Sequence, residues 1–194
     1  MPSLRTSIVL AAVVAAIPTA SLWGQNPDSA GFHPRQWGVD FNIGNGFVGA
    51  GLIHFRSPTQ AMVLALSGNV SSSTNTGSVG GGGNVSRINL SLGGRHYRPF
   101  APRLYGYRTL GIEGSYSHAF MGGSFGRTDN AVGGGVFGEL GAGWLVTPHL
   151  ALGAAWQLSA DYVHSNETTG TDTATYNGFS VTLGQVQLRG QLYF

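Results

Sequence analysis

The chain has no cysteine, no lysine and little charge of either sign. Without cysteine it can form neither a disulfide nor a thiolate zinc site, and a lipid anchor on a cysteine is excluded too. The ten basic residues are all arginines, and a net charge of +2 is too small for a nucleic-acid surface. We therefore expect no nucleic-acid partner. No spacing of His, Asp and Glu indicates a metal site, so we expect no metal and no cofactor either.

Long apolar runs are scarce as well, and the one near the start is short. Residues 1–24 resemble a secretory signal, with Arg5, an apolar run over 8–17 and small residues after it. That run is too short to cross a bilayer as a helix, and we place the cleavage between residues 20 and 24. Residues 25–34 are predicted to be a linker, and residues 35–194 the folded domain.

What the chain has in abundance is glycine, with 32 residues among 194, and glycine disfavours helices. Over residues 185–194 the side chains fall at alternate positions into an apolar and a polar set. This strict alternation indicates a β-strand with two unlike faces. Its apolar face comprises Val186, Leu188, Gly190, Leu192 and Phe194. Its polar face comprises Gln185, Gln187, Arg189, Gln191 and Tyr193.

Seven further segments of this kind precede the last strand. They cover residues 37–44, 47–55, 61–71, 87–95, 104–118, 132–144 and 150–162. The connections after the second, fourth and sixth segments are short and contain proline. Those after the third, fifth and seventh, at 71–83, 119–131 and 165–177, are longer and polar. Short turns at one rim and long loops at the other are typical of a transmembrane barrel, although Asn45-Gly46 makes the first hairpin short.

Over residues 35–194 this pattern resembles the small eight-stranded bacterial outer-membrane β-barrels of the OmpX and OmpA barrel-domain type. The resemblance implies an all-β, closed, antiparallel up-and-down barrel in the outer membrane of a Gram-negative bacterium, exported through a cleaved signal peptide. It also implies contact with outer-membrane lipid and lipopolysaccharide, insertion by the barrel-insertion machinery, and a monomer. In such barrels the C-terminal strand carries the insertion signal, which here matches Leu188, Leu192 and Phe194.

Alternation assigns side chains to the two faces of the predicted barrel. The outward face is predicted to hold Ile43, Leu66, Leu90, Ile112, Leu140, Leu158 and Leu188, with interfacial Trp37, Tyr116, Trp144, Tyr162 and Phe194. Ions in a narrow lumen persist only when they are paired, so we predict an ion network inside. Its candidates are Arg95, Glu113, Glu139, Arg189, Asp40, Arg87 and Asp161, with Glu113 and Glu139 expected near Arg95 or Arg189. The inner glycines of the sixth strand, at 133, 135, 141 and 143, are expected to leave room for water.

The pattern predicts fold more sharply than function. We expect a structural, adhesive or surface-interaction role through the loops, with an extracellular ligand bound there; the alternatives are a narrow channel and an enzyme that modifies outer-leaflet lipid. His164-Ser165-Asn166 is similar to part of the motif of the lipid A deacylase PagL. Because Ser165 follows His164 directly, their side chains start on opposite faces of a strand, so we expect no catalytic residue and no enzyme.

Overall fold

The computed structural model describes residues 32–44, 46–73, 82–122 and 126–194. The predicted signal peptide and most of the predicted linker lie outside these residues. Within the described ranges, no helix is long and apolar enough to cross a membrane.

The described chain forms eight β-strands in one closed sheet. They are β1 (Trp37–Gly44), β2 (Phe47–Ser57), β3 (Gln60–Ser73), β4 (Gly83–Ala101), β5 (Leu104–Met121), β6 (Arg127–Leu145), β7 (Leu150–Thr169) and β8 (Asp172–Tyr193). Each strand pairs antiparallel with the next, and β1 pairs with β8 to close the ring. The predicted eight-stranded up-and-down barrel is confirmed.

Period-two alternation gives the barrel an apolar outer surface. All seven aliphatic residues predicted to face outward are exposed, from Leu66 at 37% to Leu188 at 63%. Trp37, Tyr116 and Trp144 are exposed on the same surface. A water-soluble protein rarely exposes so large an apolar area, whereas a barrel in lipid must present one.

The two ends of the barrel differ in their connections. One end, which we call the turn end, carries the turns at 58–59, 102–103 and 146–149. The other end, the loop end, carries the connections after β1, β3, β5 and β7. Phe194 lies at the turn end, where its backbone exchanges hydrogen bonds of 3.0 and 3.1 Å with that of Trp37.

The strands are longer at the loop end than the sequence predicts. The predicted loop at 165–177 is wrong, because β7 continues to Thr169 and β8 begins at Asp172. Much of the predicted loop at 119–131 is also strand, in β5 and β6. A hairpin that lies in water needs no apolar face, so its sequence does not alternate. Its strands can still pair, and here the pairing continues beyond the alternating segments.

The wall of the barrel is lower on one side. The pairing of β1 with β8 ends at Ile43 and Leu188, whereas β8 runs on to Asp172 against β7. Among the described residues, no strand pairs with the other edge of β8 over 172–187. We call the short side at β1 and β2 the low wall.

A bulge in β8 explains why the alternation of this strand starts only at Gln185. The register against β7 shifts between Gln157 and Ser159, and Gly184 opposite them has φ +79°. Glycine adopts this left-handed conformation without steric cost. The extra residue reverses the parity, so that Leu183 and Val186 both face outward.

Candidate functional site

Four charged side chains from four strands meet inside the barrel. Arg95 of β4 contacts Asp40 of β1 at 3.3 Å and Glu139 of β6 at 2.8 Å. Arg189 of β8 forms ion pairs with the same two carboxylates. Each arginine therefore bridges both acids, and the ring of four has no net charge. We call these residues the ion cluster.

Neutral neighbours hold the ion cluster in place. The Arg95 Nε donates to the Thr109 hydroxyl at 2.9 Å, and that hydroxyl donates to Glu139 at 3.2 Å. The Arg95 guanidinium lies 4.2 Å from the centre of the Tyr107 ring, and Arg189 donates to the Gln187 amide oxygen at 2.8 Å. Buried charges are tolerated when pairing and hydrogen bonds compensate for lost hydration, and both are present here.

Aromatic rings fill the lumen between the ion cluster and the turn end. The ring of Phe32 lies at the centre of this set, 4.5 Å from Phe55 and 5.2 Å from Tyr105. The Tyr105 and Tyr193 hydroxyls both donate to the Gln191 amide oxygen, at 2.5 and 2.7 Å. We call the set the aromatic plug; its members, all buried, are Phe32, Phe55, Tyr97, Tyr105, Tyr107 and Tyr193.

Two sequence expectations change at the aromatic plug. Phe32 falls in the predicted linker, yet it is buried in the barrel, and Phe55 donates its backbone N–H to the Gln36 carbonyl at 2.9 Å. The inner glycines Gly141 and Gly143 do not leave room for water. A Cβ at either position would overlap the ring of Tyr107 or Tyr105, so these glycines accommodate the plug.

Between the ion cluster and the loop end the lumen holds a polar cavity of about 340 Å³. Its walls include Glu113, which accepts a 3.4 Å hydrogen bond from Gln157, and Asp161, which accepts one of 3.1 Å from Ser159. Arg87 also lines it. The volume is at the lower end of the range for small-molecule pockets.

The seven predicted network residues therefore divide into two groups. Arg95, Arg189, Asp40 and Glu139 lie in contact, whereas Glu113, Asp161 and Arg87 form no ion pair within the described ranges. Glu113 is hydrogen-bonded to Gln157 rather than paired with an arginine, and Gln157 and Gln187 link it to Arg189. Glu113 is four residues further along β5 than Thr109, which contacts Arg95, and that spacing corresponds to about 13 Å.

The predicted sites on β7 and β8 lie on the two faces of the wall. His164 is exposed, and its Nδ1 lies 2.7 Å from the Asn177 amide oxygen, whereas Ser165 lines the cavity inside the wall. The structure does not bring the two together as a nucleophile and base. Leu188 and Leu192, two residues of the predicted insertion signal, are exposed on the outward face of β8.

The aromatic plug is the feature that sequence reasoning missed. Tyr97, like Arg95, occupies an odd, inward position on β4, and Tyr193 shares its parity with Arg189. Alternation already placed Tyr193 on the polar face of the last strand, and extending the parity of Arg95 toward the turn would have placed Tyr97 in the lumen as well. Phe32 lies outside every strand, so no alternation places it.

Comparison with known proteins supports the fold. No protein-family model matches the sequence, and no curated protein matches it. Among solved structures the chain is similar to a major outer membrane protein from Thermus thermophilus, with a TM-score of 0.54 and 11% identity over 82% of this chain and 98% of that one. The described residues thus have the fold of a small outer-membrane β-barrel.

Two further solved structures are similar at lower TM-scores. One is CarO2 of Acinetobacter baumannii, with a TM-score of 0.43 and 12% identity over 82% of this chain and 98% of that one. The other is the N-terminal β-barrel domain of OprF of Pseudomonas aeruginosa, with a TM-score of 0.40 and 12% identity over 84% of this chain and 99% of that one.

Proposed function

We propose that the protein is a non-conducting outer-membrane β-barrel that takes part in surface interactions through its loop end. The observation that carries this proposal is that two sets of side chains, the ion cluster and the aromatic plug, block the lumen at two levels. The apolar outer surface supports a place in a bilayer, because a sheet can cross lipid only when it closes on itself. In outer-membrane barrels the short turns lie on the periplasmic side, which supports an extracellular position for the loop end of this one.

The closed lumen argues against a channel. The guanidinium of Arg95 reaches across the lumen to Asp40 and Glu139, so an ion would have to separate these pairs. Between these pairs and the turn end, the centre of the Phe32 ring lies 4.7 Å from that of Tyr97 and 5.0 Å from that of Tyr193. We expect planar bilayers that contain the refolded protein to show no single-channel steps.

A variant separates the two obstructions in the conductance measurement. Phe32→Ala together with Tyr105→Ala removes two rings of the plug while leaving the ion cluster in place. The double variant is expected to stay closed too, because the ion cluster still bridges the lumen. Regular steps from the unaltered protein would contradict the proposal.

The loop end offers a surface suited to a partner protein. The hairpin of β7 and β8 extends past the low wall, and its side chains over 171–181 are all exposed. Hydrogen bonds within it are local, such as that from Thr175 to the Asn166 amide oxygen at 2.9 Å. An unpaired strand edge can accept an extended segment of another protein, which supports a binding role for β8.

Shortening this hairpin tests the surface role. Ser165 and Tyr176 face each other in the register of β7 and β8, so an Asn-Gly turn can replace residues 166–175. The shortened barrel is expected to insert normally, because the removed residues lie beyond the band of exposed apolar residues on the outer surface, which we call the apolar belt. Cells that produce it are expected to lose the aggregation or attachment that the unaltered protein confers.

The matched control keeps the hairpin at full length and changes only its tip, with Asn-Gly in place of Gly170-Thr171. This variant is expected to behave as the unaltered protein in the same attachment assay. Equal attachment by the shortened and full-length proteins would contradict a role for this hairpin.

A further inference from the structure

Five of the six exposed arginines among the described residues lie at one end of the barrel, the exception being Arg87 at the loop end. Five of the ten lie at or near the turn end, and all five side chains are exposed: Arg35, Arg56, Arg98, Arg103 and Arg108. Along the sequence these arginines lie beside separate turns or in separate strands. The barrel brings these turns to one rim, and we call the five residues the arginine rim.

Within the described ranges, no exposed acidic side chain balances the arginine rim. The described acids nearest this end are Asp40 and Glu139, and both are buried in the ion cluster. The three acids closest to the loop end are Asp129, Glu167 and Asp172. The exposed surface of the described barrel is therefore positive at the turn end.

The loop end carries fewer arginines than the turn end. Its Arg127 forms a 2.7 Å ion pair with Glu167, and its Arg87 lines the cavity inside the wall. The connecting segments 74–81 and 123–125 contain neither lysine nor arginine. Arg87 is exposed and Arg127 is paired, so five of the six exposed arginines among the described residues are at the turn end.

The backbone conformation of two of these arginines is a separate indication that their side chains have a function. Arg35 and Arg103 have φ of 68° and 72°, and no other described residue except glycine has a positive φ. A side chain in this conformation costs free energy that glycine would avoid. Strain of this kind clusters where a side chain has a function.

Aromatic side chains place the arginine rim at the level of lipid headgroups. Trp37 is 44% exposed, Trp144 is 55% exposed and Phe100 is 63% exposed, all at the turn end. Amphipathic rings concentrate at the membrane interface, where phosphates also lie. The guanidinium fork of arginine matches the geometry of a phosphate group.

We propose that the arginine rim binds the headgroup phosphates of anionic phospholipid in the leaflet at the turn end. The inference rests on the proposed position in a membrane. It places the preference for anionic lipid at the opposite end from the leaflet that holds lipopolysaccharide. The bound lipids form part of the ring around the barrel rather than filling a pocket.

Tryptophan quenching by brominated lipid measures this binding. The full chain is refolded into phosphatidylcholine vesicles that contain either brominated phosphatidylglycerol or brominated phosphatidylcholine. Trp37 and Trp144 report on the rim, since Trp144 pairs with Leu104 beside Arg103. We expect phosphatidylglycerol to associate more tightly, by about five-fold for each engaged arginine, and the preference to fall at high salt.

The decisive variant is R35G/R103G. Glycine relieves the backbone at both positions, so the barrel is expected to be at least as stable in urea while its preference for phosphatidylglycerol falls by about ten-fold or more. A purely structural role for these arginines predicts the opposite change in stability. The matched control is R87Q/R127Q at the loop end, which is expected to leave the lipid preference unchanged.

Heat-modifiable gel mobility of the same samples shows whether the barrel has inserted. A protein that fails to insert contradicts the proposed function and this inference together. An inserted barrel that binds both lipids equally contradicts the inference alone. So does a preference that survives in R35G/R103G, or one that is lost in R87Q/R127Q.

Discussion

Replacing Glu139 by alanine is expected to lower the free energy of unfolding by about 3–5 kcal/mol. The change leaves Arg95 and Arg189 buried with only Asp40 to share, and the two guanidinium groups then repel each other where little water screens them. Urea titration of the barrel in vesicles, followed by gel mobility without boiling, measures the loss.

The control for this change is Glu167→Ala, which removes the acid of the other described ion pair. Arg127 and Glu167 are 2.7 Å apart, but their side chains are 42% and 22% exposed. Water screens such a pair, so we expect a loss of about 1 kcal/mol or less. Losses of equal size in the two variants would show that the ion cluster is not a buried network.

A double variant separates pairing from simple loss of contacts. Glu139→Ala with Arg189→Ala leaves Arg95 and Asp40 as one neutral pair. Its loss is therefore expected to be smaller than the sum of the two single losses, by about 1–3 kcal/mol. Additive losses would mean that the two side chains do not interact.

Replacing Phe55 by alanine is expected to cost about 3–5 kcal/mol, the second large effect. Phe55 is fully buried at 0% exposure, and its ring stacks on Phe32 at 4.5 Å. Its removal leaves a void among rings that are fixed by Tyr97 and Tyr193 on two other strands. The same urea titration measures the loss.

Phe100→Ala is the matched control for the aromatic plug. Phe100 lies at the same end of the barrel but on its outer surface, where it is 63% exposed. Truncating it leaves no internal void, so we expect a loss of about 1 kcal/mol or less. A similar loss for both phenylalanines would contradict a packed plug.

The sequence predicts the barrel well because the membrane imposes a simple rule on its outer face. Leu90, Ile112 and Leu140 are exposed on the outer face, where a barrel in a membrane needs apolar side chains, and this makes the period of two visible in the sequence. The same parity puts Arg95, Glu139 and Arg189 in the lumen. Their contact with one another depends on the register between strands, and register cannot be read from a single strand.

Other features were hidden from the sequence for physical reasons. The hairpin of β7 and β8 has no apolar face beyond the belt, so its strands read as a polar loop. The place of Phe32 depends on how residues 32–36 fold across the turn end, where the Arg35 backbone N–H donates to the Phe55 carbonyl at 2.7 Å. Tyr105 and Tyr107 were predictable from parity, but tyrosine on an inner face does not by itself indicate a plug.

The low wall has a consequence for the surrounding bilayer. The eight residues of β1 cover about 20 Å of membrane when the strand is tilted by about 40°, which is less than the usual apolar belt of about 25 Å. Two strands away from β1, β7 keeps exposed apolar residues from Leu152 to Tyr162. Unequal hydrophobic thickness around one circumference is relieved by tilting the barrel or by thinning the lipid beside β1 and β2. If the barrel lies in a bilayer as proposed, we therefore expect it either to lean or to thin the lipid beside β1 and β2.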